Sequence, residues 1–141
     1  MSIKGGCLCG KVRYKIAGPL FYADHCHCSM CRRQHGAAFA TYATLNPDHF
    51  AWVSGKDLVK TYETRPGDGW CFCSKCGSTL AGTGKGMINT ITLGTVEGDP
   101  GIRPKSHIFA GSRAPWHDIA DNLPRFEERP PDGWEPPDES S

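Results

Sequence analysis

The sequence predicts a mainly β protein, and three observations carry that expectation: an unbroken charged/apolar alternation near its start, frequent turn-forming residues, and the lack of a sustained helical stripe. Lys11-Val12-Arg13-Tyr14-Lys15-Ile16 alternates without interruption, the pattern of a strand with one wet face. Phe39-Ala40-Thr41-Tyr42-Ala43-Thr44-Leu45 reads as a second strand, rich in aromatic and β-branched residues and stopped by Asn46-Pro47. Leu58 to Tyr62, Trp70 to Cys73, Met87 to Val96 and Ser106 to Phe109 follow as further strands, making six in all, separated by turns that contain glycine or proline. With Gly 17 and Pro 11 in 141 residues, such turns are frequent. Only Met30 to His35 and Asp118 to Leu123 are expected to form a helical turn or two, because neither carries a lasting 3.6-residue period.

A chain of 141 residues suits one domain, expected over residues 1–126, and the composition changes beyond it. Residues 127–141 are proline-rich and acidic, with Trp134 as the one large apolar side chain, and read as a tail whose Trp134 docks on its own chain or serves a partner. Lys+Arg 16 against Asp+Glu 15 leaves no net field to attract nucleic acid. No stretch approaches the roughly 20 apolar residues of a membrane span, and Met1-Ser2-Ile3-Lys4-Gly5-Gly6 lacks the apolar core of a secretory signal, so a cytoplasmic location is expected. The oligomeric state is not written in the sequence.

Eight cysteines are the unusual feature. In a reducing cytosol they are poor candidates for disulfides, and C-x-C neighbours are badly placed to bridge each other even in a secreted chain. Cys7-Leu8-Cys9-Gly10 and Cys73-Ser74-Lys75-Cys76-Gly77 are similar turns that each offer two thiols and then glycine. Zn²⁺ takes four thiolates tetrahedrally, so Cys7, Cys9, Cys73 and Cys76 are expected to form a closed structural zinc site that clamps the start of the chain to its middle. The competing reading is redox thiols or core cysteines. In Cys26-His27-Cys28-Ser29-Met30-Cys31, three thiols lie within six residues and can converge on a second ion. Three protein ligands with an open fourth position characterise catalytic zinc. A closed site completed by Cys71, His25, His27 or His35 stands beside that reading, and strand alternation lets Cys71 instead neighbour the first metal. Arg32 and Arg33 could offset thiolate charge, hold the carboxylates of an anionic substrate, or simply be solvated; Gln34, His35 and Lys85 are further polar groups of the same kind.

Taken in order, Gly5-Gly6-Cys7-Leu8-Cys9-Gly10, Cys26-His27-Cys28-Ser29-Met30-Cys31 and Phe72-Cys73-Ser74-Lys75-Cys76-Gly77-Ser78 resemble the family of glutathione-dependent formaldehyde-activating enzymes and centromere protein V. Ser106-His107-Ile108-Phe109, Arg113-Ala114-Pro115-Trp116-His117 and Leu123-Pro124-Arg125-Phe126 are similar to it as well, so the resemblance runs to Phe126. It implies a zinc-stapled β-tent of small twisted antiparallel sheets and two zinc ions per chain. Cys7, Cys9, Cys73 and Cys76 match the family's structural site, and Cys26, Cys28 and Cys31 its catalytic site; Cys71 departs from the pattern. The implied activity is that of a carbon–sulfur lyase joining a small thiol such as glutathione to an aldehyde, formaldehyde in the namesake, to give S-hydroxymethylglutathione. No catalytic residue beyond Cys26, Cys28 and Cys31 is assigned by the resemblance. The centromere branch implies an alternative, a zinc-stapled module that associates with protein or nucleic acid without catalysis.

Overall fold

The computed structural model describes residues 2–137, and the last four residues of the acidic tail lie outside them. The described chain is mainly β, as its alternation and turns require, and divides into two units. One takes in residues 2–22 and 42–102, the other residues 23–41 and 103–137.

The first unit holds a three-stranded antiparallel sheet of β1 (Ile3–Gly6), β2 (Arg13–Ile16) and β5 (Phe50–Ser54), with β2 central. The alternation in β2 works as expected: Tyr14 and Ile16 are buried, and Lys15 between them is exposed. Tyr14 stacks on Phe50 with ring centroids 5.5 Å apart. Its position opposite Gly5 explains a glycine within the strand, since a Cβ at Gly5 would run into the Tyr14 hydroxyl and the Thr95 carbonyl. Thr95 Oγ1 donates to the Thr92 carbonyl at 2.8 Å, so its 2.9 Å bond to Tyr14 takes the phenol as donor.

Burial pushes the Tyr14 phenol up to about 12. The folded state therefore prefers the protonated phenol, and the stability this contributes is fully present below the ordinary value near 10 and lost as pH rises toward 12. Chemical denaturation across pH 9 to 12 should show an alkaline loss of about 2–3 kcal/mol that Tyr14→Phe largely abolishes. An equal loss in both proteins would mean that another group carries it.

In the same unit, β9 (Met87–Thr92), β8 (Thr79–Gly84), β7 (Asp68–Cys73) and β6 (Val59–Arg65) pair antiparallel in that order, and the Tyr42–Thr44 part of β4 (Ala40–Leu45) pairs with β9. Ala43, Ile91, Ala81, Cys71 and Thr61 are successive cross-strand partners, a row across the sheet whose first four members are buried. In the second unit, His25 and Cys26 at the end of β3 (Leu20–Cys26) pair in parallel with β10 (His107–Ile108), opposite His107 and Ile108 in turn. The sheets are therefore mixed as well as antiparallel. α1 (Ser29–His35) follows β3 and ends at Gly36 in the left-handed conformation.

All six expected strands are present within a few residues, and the described chain has four more: β1, β3, β5 and β8. The helical turn expected over Asp118 to Leu123 is absent. There the Asp121 carboxylate accepts the backbone N–H of Leu123 at 2.9 Å, a local bond that competes with helix, and Pro124 follows. Trp134 docks on its own unit, with its ring 4.9 Å from Phe126. No helix among the described residues is long and apolar enough to cross a membrane.

Candidate metal centres

Two tight turns build the first centre, both within the first unit. Between β1 and β2, Gly10 adopts a φ of 79°, which lets its N–H reach the Cys7 carbonyl at 3.1 Å while Val12 N–H donates to Cys7 Sγ at 3.3 Å. After β7, Gly77 adopts a φ of 82° and donates to the Cys73 carbonyl at 2.8 Å. The sulfurs of Cys7, Cys9, Cys73 and Cys76 all lie within 4.8 Å of one another. Two of those separations are 3.5 Å, Cys7 to Cys9, and 3.9 Å, Cys9 to Cys73. Zinc–sulfur bonds of about 2.3 Å in a tetrahedron put sulfurs about 3.8 Å apart, so this donor set has the right chemistry and about the right size for zinc. None of the eight cysteines is in a disulfide.

Ser78 stood in the sequence only within a resembling segment, with no role of its own. Its hydroxyl lies 3.3 Å from Cys76 Sγ and accepts the Leu8 N–H at 3.0 Å, tying the two turns together. That hydroxyl, followed by backbone hydrogen bonds from Cys9 and Ser78, holds the Cys76 thiol down to about 5 and favours the thiolate a metal requires.

The second centre lies wholly in the second unit. Cys26 closes β3, Cys28 is the N-cap of α1, and Cys31 sits in its first turn. Their sulfurs lie within 4.8 Å of one another. Cys28 Sγ accepts the Cys31 N–H at 3.2 Å, the bond that a serine or aspartate oxygen usually makes at a helix start. Hydrogen bonds from the Cys26 thiol, then from Cys31 and nearby backbone, hold Cys28 far below the usual thiol range; the same contacts push Cys26 up.

None of the residues considered as a fourth ligand joins this group within that distance. Cys71 belongs to the buried row of the β6–β9 sheet, with its sulfur 3.3 Å from Thr61 Oγ1, and it joins neither centre. His35 Nδ1 lies 3.1 Å from the Cys31 carbonyl, and His25 Nδ1 lies 2.7 Å from Thr41 Oγ1. His27 is fully buried, with Nε2 2.8 Å from Nδ1 of His107, whose Nε2 in turn is 2.9 Å from Asp121. Burial, reinforced by neighbouring histidines, pushes His25 and His27 down to about 4, so both are neutral at physiological pH. His107, Asp121 and Phe39, whose ring is 5.0 Å from His27, had no assigned role in the sequence; His107 stood there only within a resembling segment. Arg32 Nε is buried without a hydrogen-bond partner among the described residues.

Residues 2–112 match the family model described as "Glutathione-dependent formaldehyde-activating enzyme". A curated protein of Halomonas elongata, provisionally named a glutathione-dependent formaldehyde-activating enzyme, is 33% identical over 88 residues, covering 57% of this chain and 55% of that protein. The chain thus spans about half the length of that relative. A crystal structure of a Rhodobacter sphaeroides protein is similar at a TM-score of 0.53 with 27% identity, covering 68% of this chain and 89% of that one.

Proposed function

The chain belongs to the glutathione-dependent formaldehyde-activating enzyme family, and from that premise we propose that it is a zinc-dependent carbon–sulfur lyase acting on the adduct of a small thiol, glutathione, and formaldehyde. The observation that carries the reading is the unequal completeness of the two centres: four sulfurs converge in one, and only three, with no further His, Cys, Asp or Glu donor among the described residues within the same distance, in the other. Cys7, Cys9, Cys73 and Cys76 would hold a structural zinc. Cys26, Cys28 and Cys31 would hold the catalytic one, leaving its fourth position for the substrate thiol. When bound there, zinc supplies the Lewis acidity that favours the thiolate form of an incoming thiol near neutral pH.

The protein supplies no nucleophile of its own in this scheme. In synthesis, the sulfur of glutathione bonds to the formaldehyde carbon, the carbonyl π pair moves to oxygen, and the oxygen takes up the proton the thiol has lost. The reverse reaction breaks the same carbon–sulfur bond. The N–H groups at the start of α1 favour the Cys28 thiolate, and burial of Cys26 and Cys31 shields the centre from bulk water. Eight free thiols suit a reducing cytoplasm, where we place the protein.

Metal analysis of the purified protein should find two zinc ions per chain. X-ray absorption at the zinc edge should then show additional sulfur coordination when glutathione is added, and S-hydroxymethylglutathione should form faster than in the uncatalysed mixture. A glutathione-independent spectrum together with an uncatalysed rate would reject the assignment.

A further inference from the structure

The solvent face of the three-stranded sheet carries a charge arrangement that neither metal centre uses. Lys4 of β1 and Lys15 of β2 are direct cross-strand partners, and both are exposed. Arg13, two residues before Lys15 on the same strand, shares their face. Its stem runs across Gly6, where an added Cβ would come within 2.9 Å of Arg13 Cδ. Directly opposed side chains stand about 5 Å apart at Cβ, and residues two apart on a strand about 7 Å, so the three cations spring from one small area.

Glu97 answers one of these charges. Arg13 Nη2 donates to its carboxylate at 2.9 Å, and the Glu97 N–H donates to the Lys4 carbonyl at 2.8 Å. No ion pair joins Lys4 or Lys15 among the described residues. Like charges set directly opposite each other work against the pairing of β1 with β2, and an anion seated between them reverses the sign of that interaction. The three cations, with Tyr14 and Val53, line a depression of about 280 Å³. Val53 reaches it through a bulge: Arg13 pairs with Ser54 and Tyr14 with Trp52, so Val53 is the residue left over, and it stays 63% exposed. Bulges re-aim side chains in this way.

We propose that this depression binds a small phosphate monoester, with the phosphate between Lys4, Lys15 and Arg13 and the carbon part against Val53. Three cations less Glu97 leave a net charge of +2 on the patch, and a phosphate monoester carries about −1.5 to −2 near neutral pH. Arg13 presents a planar fork suited to phosphate oxygens, held in place by Glu97, and the lysines add point charges. Val53 and the alkyl stems of the cations give the carbon part an apolar wall. The depression lies at the small end of ligand sites, which favours a small molecule over a polymer. Lys+Arg 16 against Asp+Glu 15 likewise provides no long-range field for a polyanion. The site uses no cysteine and no step of the reaction proposed above, so it stands or falls separately.

The test is a titration of the full-length, zinc-loaded protein followed by ¹H–¹⁵N spectra at about 0.15 M salt, where weak surface attraction is screened. The probes are sn-glycerol 3-phosphate, inorganic phosphate, glycerol and a hexaglutamate peptide. Glycerol 3-phosphate should shift the amides of Lys4, Arg13, Lys15 and Val53 along one saturable curve. Inorganic phosphate should shift the same amides with lower affinity, and glycerol should shift none. The double variant Lys4→Gln, Lys15→Gln should weaken binding about tenfold, and Lys15→Arg should retain it. Val53→Glu, which puts a carboxylate into the depression, should abolish it. All three positions are exposed, so the spectra of the variants should otherwise match the parent. Shifts that fail to saturate, or that the double variant leaves unchanged, reduce the patch to a solvated face and overturn the site. Saturable shifts confined to Cys26, Cys28, Cys31 and their chain neighbours assign the phosphate to the second metal centre and overturn it too. A response to hexaglutamate without one to glycerol 3-phosphate makes the surface a docking face for an acidic protein segment, which also overturns the proposal.

Discussion

Cys73→Ser is expected to leave a protein that either fails to accumulate in soluble form or melts at least about 10 °C lower and carries one zinc fewer. Cys73 is fully buried at the end of β7, and its sulfur lies 3.9 Å from that of Cys9. Structural zinc contributes about 10–16 kcal/mol of apparent binding energy in small zinc-dependent folds, against a net stability of about 5–15 kcal/mol for an ordinary domain. Weakening the site by a fraction of that is enough to erase most of the folded state, and each kcal/mol lost lowers the melting temperature by about 2–8 °C. The loss should be specific to the metal cluster. Cys71→Ala, two residues earlier on the same strand but in the apolar row, should keep its metal and cost about 1 kcal/mol. Metal content by mass spectrometry and thermal melting of the two variants side by side would decide the matter; a Cys73→Ser protein with unchanged melting and unchanged zinc would refute a structural role.

What the sequence discloses about this fold depends on how local each determinant is. The β2 strand and the cysteine turns are legible because alternation, or two thiols followed by glycine, is complete within a few residues. β1 is not, because Gly5-Gly6 has poor strand propensity and is chosen for what lies across from it, the Tyr14 ring and Thr95 carbonyl at Gly5 and the Val12 carbonyl at Gly6. β8 is hidden for a related reason: Thr79-Leu80-Ala81-Gly82-Thr83-Gly84 is small and weakly patterned, and its place is fixed by neighbours on both sides. The same distinction separates the sulfur ligands from the contact between His27 and His107. His107 is 80 residues from His27, and only the parallel pairing of a two-residue strand with β3 brings their rings together. Asp121 lies in a segment whose helical expectation failed because its carboxylate is already engaged, by Leu123 N–H and by His107. Nor could spacing decide whether Cys71 joins a metal site, since alternation sets only the face of the strand and the sheet register decides what that face meets.

Cys28→Ser is expected to separate metal from fold at the second centre, because the substitution removes a sulfur and keeps a cap. Cys28 is the N-cap of α1, and its sulfur accepts the Cys31 N–H. Serine is among the best N-cap residues and can make that same bond with oxygen, so the start of the helix should survive with a stability change within about 1 kcal/mol. The metal should not fare as well. The Cys28 thiol is held far below the usual range by its hydrogen bonds, whereas serine remains protonated at neutral pH and is a poor zinc ligand. Altering even the partners of a metal ligand costs about 10–100-fold in affinity or activity, so loss of the ligand itself should cost at least about a hundredfold in both. The variant should therefore retain the zinc of the four-cysteine centre, its melting temperature and its circular dichroism, while losing the second zinc under competition with a chelator and losing turnover of glutathione and formaldehyde. Retention of two tightly held zinc ions with full turnover would show that Cys28 is a capping residue alone. Loss of the fold together with the metal would instead make the three-cysteine centre structural, leaving the chain without a distinct catalytic metal.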